Sequence, residues 1–414
     1  MWKAVVLVGI LSFGVLFAQD SLGVRLVRRV ELSRSPNSIA DGENFLFALV
    51  NDTIKVIDFR EPESASVVLS VPVNFGPSSE ILVRTNYAYV ATDSGLAIFD
   101  ITNPLYTRRI ATVSTSQPLG GIAASGTFVH LITKYSDAYI FNVYNPLSAL
   151  EVSSYSLGDE TDSLLDISLY SGYAYITSTS GKIFVVDIAD PYNPDLLVWI
   201  ATGIYSRSIF TANNTAFIAS RFDGLHIVDI SDARYPTEVG YYESVDARSV
   251  KIARDIALLA DGDGGLKVVD ISVRSNPILI GYYRRNLLAD ALAVKNCYAI
   301  LGNEALNSID IFYIAPLVNV DENTDSRPVN TGILAYPNPF NSGCKIRLPV
   351  ERSGKATFEI YNIYGHVVET LFNGKVGAQS IELKWTPSSL PPGVYFGKLK
   401  TDKHEKTLKL IYLK

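Results

Sequence analysis

A short run of apolar, apolar, acidic and apolar residues returns along this chain at nearly constant spacing. The copies are Val56-Ile57-Asp58-Phe59, Ile98-Phe99-Asp100-Ile101, Ile140-Phe141-Asn142-Val143, Val185-Val186-Asp187-Ile188, Ile227-Val228-Asp229-Ile230, Val268-Val269-Asp270-Ile271 and Ser308-Ile309-Asp310-Ile311. Steps between the acidic or amide anchors are 42, 42, 45, 42, 41 and 40 residues. A period near forty requires stacked supersecondary units, because no single unit of that size buries its own apolar face. Each unit carries four short runs of Val, Ile, Tyr, Phe and Thr broken by Gly, Asn, Asp or Pro, and so reads as four strands. Seven such units predict an all-β chain built as a seven-bladed β-propeller.

The anchor strand supports this. The residues on either side of the anchor are apolar in all seven copies, and the residue two before it is apolar in six. A strand that is apolar on both faces must be covered on both faces, which suits a middle strand held between neighbouring blades. The anchor itself precedes turn sequences such as Asn103-Pro104, Asn145-Pro146, Asp190-Pro191, Asn193-Pro194 and Asn276-Pro277. Asx side chains and Pro together start turns, so the recurring Asp reads as structural rather than catalytic.

Residues 23–32 alternate like a strand ahead of the first full repeat, while the seventh repeat has only three strands, near 289–295, 297–302 and 306–312. One strand is spare and one is missing. An N-terminal strand pairing beside Ser308 to Phe312 completes the last blade, closes the ring and removes an exposed edge. Hairpin turns are expected at Asn51-Asp52, Asp93-Ser94-Gly95, Asn213-Asn214 and Asp261-Gly262-Asp263-Gly264-Gly265.

The Gly-Leu-x-Val-Val-Asp-Ile-Ser element, its Asn-Pro or Asp-Pro turn and the strands ending Gly240-Tyr241-Tyr242 and Gly281-Tyr282-Tyr283 resemble the LVIVD repeat, over about residues 22–314. That resemblance implies a propeller on a secreted or surface protein, with no common enzymatic activity. The Trp-Asp and Gly-His signatures of WD40 blades are absent.

Outside the ring the sequence divides further. Residues 1–18 hold Lys3 and an apolar run from Ala4 to Phe17, too short to span a bilayer and laid out as a signal peptide cleaved after Ala18. No cysteine follows, so no lipoprotein anchor is indicated, and no later segment is apolar enough to cross a membrane. Many tyrosines (24), one methionine and 19% charged residues favour rigid extracellular β structure. The propeller is assigned to residues 19–314, and the polar residues 315–332 form a linker. Residues 333–414 then alternate as six or seven strands, predicting a small β-sandwich. Its motifs are Tyr336-Pro337-Asn338-Pro339-Phe340-Asn341, Ile360-Tyr361-Asn362 before Gly365, a strand ending in Trp385, Gly393-Val394-Tyr395-Phe396 and a lysine-bearing last strand. In that order they resemble the type A C-terminal sorting domain of type IX secretion cargo and the related FlgD-like, Ig-like modules. The resemblance implies delivery to the cell surface or outside, with the secretion machinery as a partner. Ser342-Gly343-Cys344 replaces the family's usual Pro-x-Thr. A disulfide between Cys297 and Cys344 would have to join two domains, so both read as small buried hydrophobes.

Charge follows the same division. Residues 333–414 hold twelve Lys or Arg against six Asp or Glu, leaving −12 on the remainder of a chain whose net charge is −6. An acidic propeller is a poor nucleic-acid binder, whereas a basic β module suits an acidic translocon or anionic glycan, or is simply a solvated surface.

No catalytic motif is present: there is no Gly-x-Ser-x-Gly elbow, His-Glu-x-x-His helix, Walker loop or dinucleotide fingerprint. His130, His226, His366 and His404 lie in separate units, and His226 occupies a strand slot held by Lys55, Ala97, Phe184 and Lys267 elsewhere. Neither cofactor nor metal is expected. Asp261-x-Asp263-Gly264 superficially resembles a calcium loop but sits where a hairpin turn is required. Asp52, Asp93, Asp137, Asp223 and Glu304 occupy equivalent loops and would line one rim. Glu80, Asp166, Arg207, Arg248 and Asp290 stand at the starts of the innermost strands and would border the central channel, holding a small polar ligand or pairing with each other. The expectation is an exported, non-catalytic propeller contacting an extracellular protein or glycan. The alternatives are a secreted polysaccharide-active enzyme using Asp166 and Asp290 in the funnel, which is fold analogy, and a periplasmic assembly scaffold that keeps its tail.

Overall fold

The computed structural model describes residues 21–158, 162–285, 287–314, 334–336, 340–348, 354–362, 366–376, 381–387, 390–401 and 405–412. The segments expected to be leader and linker, and Pro337 to Pro339 of the tail motif, lie outside them. The chain divides into two compact units, Met1–Val320 and Asp321–Lys414.

In the first unit seven antiparallel sheets form seven blades. The first blade runs Ser38–Asp41, Phe45–Val50, Thr53–Asp58 and Ser66–Pro72, and the next five repeat that four-strand order from Ser78, Leu119, Leu164, Ser206 and Ser249. The seventh has Ala289–Lys295, Tyr298–Asn303 and Ser308–Tyr313, with Arg25–Glu31 as its outermost strand. The first strands of successive blades adjoin around a central channel, and the seventh adjoins the first. Closure by the N-terminal strand is therefore observed. The chain also does something that its sequence did not announce: just before that strand, Ser21–Leu22 pairs with the outer strand of blade 6, Ser21 opposite Tyr283.

The apolar pattern of the third strand is explained by its neighbours. Ile54 and Val56 pack with Ile81, Val90 and Phe99 of blade 2, while Ile57 packs with Ile309 and Ile311 of blade 7. Alternate side chains thus serve opposite interfaces. Seven apolar clusters result, one at each blade-to-blade interface. Each fully buried aliphatic or Phe side chain contributes roughly 1.5–3 kcal/mol of transfer free energy.

In six repeats the anchor works as a turn starter. A side-chain oxygen of Asp58, Asp100, Asn142, Asp187, Asp229 and Asp270 accepts the backbone N–H two residues on, at 2.8 to 3.1 Å. These bonds hold the Asp229 and Asp270 carboxyls below the ordinary range, the Ser231 and Ser272 N–H groups being the first cause. Asn103, Asn145, Asp190 and Asp232 repeat the device in the following turn. Asn213 and Asn214 both adopt positive φ, 50° and 56°, as a two-residue hairpin loop requires.

The seventh anchor is corrected by the structure. Pairing places Tyr313 opposite Tyr298, as Asp58 lies opposite Phe45, and the bulge against the outer strand falls between Ile311 and Phe312, as it does between Val56 and Ile57. The N–H of Ile314 bonds back to Cys297 as that of Phe59 does to Asn44. Tyr313 is therefore the true anchor, and Asp310 sits three residues earlier, in the tolerant slot of Lys55 and His226. The sequence Ile309-Asp310-Ile311 imitates the motif out of register because apolar residues flank the slot on both sides.

The second unit has two sheets, one of Leu334–Tyr336, Cys344–Leu348 and Ile381–Trp385, the other of Gly354–Tyr361, Val367–Val376, Gly393–Thr401 and Glu405–Tyr412. A shared core of Phe340, Ile346, Phe358, Trp385, Tyr395 and Leu410 lies between them. Cys297 and Cys344 are both buried; burial pushes the Cys344 thiol up to about 11.

Candidate binding site at the channel mouth

The inner strand of a blade has no strand partner on its channel side, so its backbone N–H groups need other acceptors. The chain meets this need with side chains and a repeated irregularity. In blades 2, 3, 4, 5 and 7 the register of the inner strand slips once, at Ser79, Gly120, Leu165, Arg207 and Asp290 with Ala291. A β-bulge re-aims the side chains around it. Here it creates two tiers along the channel.

The outer tier carries Arg207 and Asp290 on bulged positions, with Arg248 at the matching place in blade 6. Arg207 Nη2 lies 2.6 Å from Asp290 Oδ1, joining blade 5 to blade 7 past blade 6. Arg248 pairs with Asp246 at 2.8 Å and Glu304 at 2.9 Å, and lies 4.0 Å from Asp290. Arg221 reaches the other oxygen of Asp246 at 3.0 Å. Burial raises the Asp290 carboxyl, with Arg207 and Arg248 opposing and Glu304 adding to the rise.

Glu80 and Asp166 occupy the inner tier. Glu80 Oε2 accepts the N–H of Ile122 in the next blade at 2.9 Å. Asp166 does the same for Ile209 of its next blade at 2.9 Å, and its other oxygen takes the N–H of Ile167 at 2.8 Å. The second bond has a local cause: Gly121, its counterpart in blade 3, has no side chain to offer Ile167. Burial, then the charge of Asp166, holds Glu80 well above the ordinary carboxylate range, while Lys251 pulls the other way. Asp166 is raised by burial as well.

All five channel residues singled out from the sequence line one cavity of about 740 Å³. They are not one ring but two, and each is already engaged. Sequence reasoning missed Lys251, on the cavity wall with both carboxylates in its field, and also Asp246, Arg221 and Tyr205. Lys251 lies three residues after Arg248, on the strand that Arg248 precedes, a signal that becomes readable once the tier positions are known. The rim acids are likewise engaged: Asp52 accepts from the Ser78 N–H at 3.3 Å, Asp93 pairs with Lys134, Asp137 accepts from Gln117, Asp223 lies 3.5 Å from His226, and Glu304 holds Arg248. At the suspected calcium loop, Lys267 Nζ sits 2.6 Å from the wholly buried Asp261, so an ammonium occupies the place a cation would take.

Two of the histidines, His226 and His130, have structural surroundings, and His404 lies outside the described residues. His226 is buried between Asp223 and Glu238, 3.1 Å from the latter, against the Tyr241 ring. His130 is buried and lowered to about 4 by desolvation. In the tail, Phe340 stacks on Tyr412 and meets Trp385 edge-on, and Tyr395 Oη donates to the Pro391 carbonyl at 2.6 Å. Asn341 and Gly393 are exposed, and Tyr336 and Val394 are placed on strands. Motif residues 340 and 395 thus help to build the sandwich core.

Comparison with known proteins agrees with these two units. The LVIVD repeat matches residues 75–113, 164–202, 205–244 and 245–284. The secretion system C-terminal sorting domain matches residues 334–413. Among solved structures, the computationally designed protein Ika8 is 13% identical with a TM-score of 0.53, over 70% of this chain and 99% of that one. The Pan2 WD40 domain of Neurospora crassa is 10% identical with a TM-score of 0.57, over 70% and 95%. At such identity the likeness speaks for the propeller fold alone. No curated protein matches the chain. The chain therefore carries LVIVD repeats on a propeller and a sorting domain that marks type IX export to the cell surface or outside.

Proposed function

We propose that this protein is an exported, non-catalytic interaction module that meets its extracellular partner, a protein or a glycan, at the channel mouth. Residues 1–18 act as the leader for the first membrane, and the tail engages the type IX machinery for the second. The observation that carries the reading is the state of the channel carboxylates: Asp166 spends both oxygens on backbone N–H groups and Asp290 is held by Arg207. Groups so engaged are poor general bases, yet they form a fixed, charge-balanced surface at the end of a rigid ring.

One observation favours a second reading, a polysaccharide-active enzyme. Three carboxyls in one cleft, Glu80, Asp166 and Asp290, are raised, as tuned catalytic acids are. Turnover on a glycan panel by the protein, lost in Asp166→Asn, would replace the binding reading with this one. Export is tested by expressing the full chain and a version ending at Asn330 in a type IX-competent bacterium, followed by fractionation and intact mass. Only the full chain is expected outside. Equal distribution of both would favour a periplasmic scaffold.

A further inference from the structure

One sector of the mouth, over blades 4 to 6, differs from the rest. Tyr205 takes a positive φ of 62°, a conformation bulky residues rarely adopt, and lines the channel cavity. Such local strain persists only where surrounding structure imposes it, and it clusters at ligand sites. The Arg221 guanidinium lies 6.0 Å from the Tyr205 ring centre and 5.3 Å from that of Phe222. Beside them Ile204, Phe222 and Val245 remain 68%, 66% and 72% exposed on adjacent loop tips. An aromatic and apolar shelf therefore borders the charged tier of Arg207, Arg248 and Asp290.

From this juxtaposition we infer that the mouth binds the end of a neutral glycan, one sugar ring stacked on the Phe222 shelf and its hydroxyls turned toward the arginine and carboxylate tier. The inference rests on the proposal that the mouth is a binding face. Three observations select the ligand class. First, Arg207, Arg221 and Arg248 are matched by Asp246, Asp290 and Glu304, so the tier carries no net charge. An anionic or cationic ligand would have to break an existing pair and leave its partner uncompensated. Second, the tier offers fixed donors and acceptors side by side, and sugar hydroxyls both donate and accept. Third, a pyranose has an apolar C–H face that suits an exposed ring, and the cavity of about 740 Å³ lies within the range of small-molecule sites.

The test uses the purified full chain against immobilised neutral oligosaccharides, uronic or sulfated oligosaccharides and short acidic peptides, with calorimetry on any hit. Neutral sugars should bind, and Phe222→Ala should weaken them by about tenfold, the size of one aromatic contact. Tyr144→Ala, at an exposed turn at the opposite ends of the strands, should leave affinity unchanged. Arg207→Ala combined with Asp290→Ala keeps the mouth neutral but removes its hydroxyl partners, and should abolish binding. Binding of acidic glycans or peptides alone, sensitive to Arg207→Ala with Arg248→Ala, would overturn the neutral-sugar inference while leaving the binding face intact. Neutral-sugar binding indifferent to Phe222→Ala and to both double variants would overturn both. Binding of none of the three classes would overturn the inference, and the fractionation and turnover experiments would still judge the broader reading.

Discussion

Two ion pairs in this ring share the same chemistry and the same 2.6 Å separation, Arg29 with Asp310 in the closing blade and Arg207 with Asp290 at the mouth. Their surroundings differ. Asp310 is wholly buried and accepts two bonds from Arg29, one from Asn303 at 3.1 Å and one from Ser308 at 2.9 Å. Its arginine arrives on the N-terminal strand, 281 residues away in sequence, and is raised chiefly by the bond to Asp310. The mouth pair stays partly solvated and lies on bulged backbone facing an open cavity. The comparison teaches that one repeated scaffold uses the same pair for two purposes: buried, it commits the ring to a single closure; at the channel it presents polar groups at little cost to the fold.

The largest expected effect breaks the buried member. Arg29→Met leaves Asp310 uncompensated and should lower stability by about 3–5 kcal/mol in urea unfolding. Adding Asp310→Leu should recover much of that loss, because an apolar pair replaces a buried ionic one. An unchanged midpoint for Arg29→Met would show that the strand closes the ring without the pair.

Next in size is a pH effect from a buried group that has no ion partner among the described residues. Folded His130 titrates at about 4 and the unfolded residue near 6.5, so between these values the unfolded chain binds the extra proton. The His130 contribution is then full above pH 6.5 and falls as pH drops toward 4, by up to about 3 kcal/mol. His130→Leu should flatten that limb. Glu80 has the opposite sign: its folded value is raised, so its contribution is complete at low pH and declines as pH rises through that value. Glu80→Gln should make the decline between about pH 4.5 and 8 shallower, and an unaltered profile would show that Glu80 contributes nothing to it.

The smallest stability change is expected at the mouth. Arg207→Ala should cost no more than about 1 kcal/mol, as part-exposed pairs do, while weakening whatever the mouth binds. A loss as large as that of Arg29→Met would erase the contrast between the two pairs.

Much of this architecture is legible along the chain because it depends on repetition. Forty-residue spacing, strands apolar on both faces and a spare strand at one end lead to seven blades and their closure before any coordinate is known. The Asx turns follow from local side-chain reach and are equally readable. Asp310 shows where such reading fails: Ile309-Asp310-Ile311 satisfies the pattern, yet the hydrogen-bond register assigns Tyr313 to the anchor position. Local composition cannot distinguish two registers that both alternate apolar residues.

The channel illustrates the other limit. Its five charged residues could be named from their place at the starts of inner strands. Their separation into two tiers could not, because a bulge is a property of pairing between strands and has no signature in one of them. The number of blades, the turns between their strands and the address at the tail can be read along the chain, since these follow from local pattern and period. Which charges meet depends on the closed ring, because Arg207 reaches Asp290 across 83 positions and Arg29 reaches Asp310 across 281. Such pairings arise when the ring closes and brings distant strands within a hydrogen bond of each other.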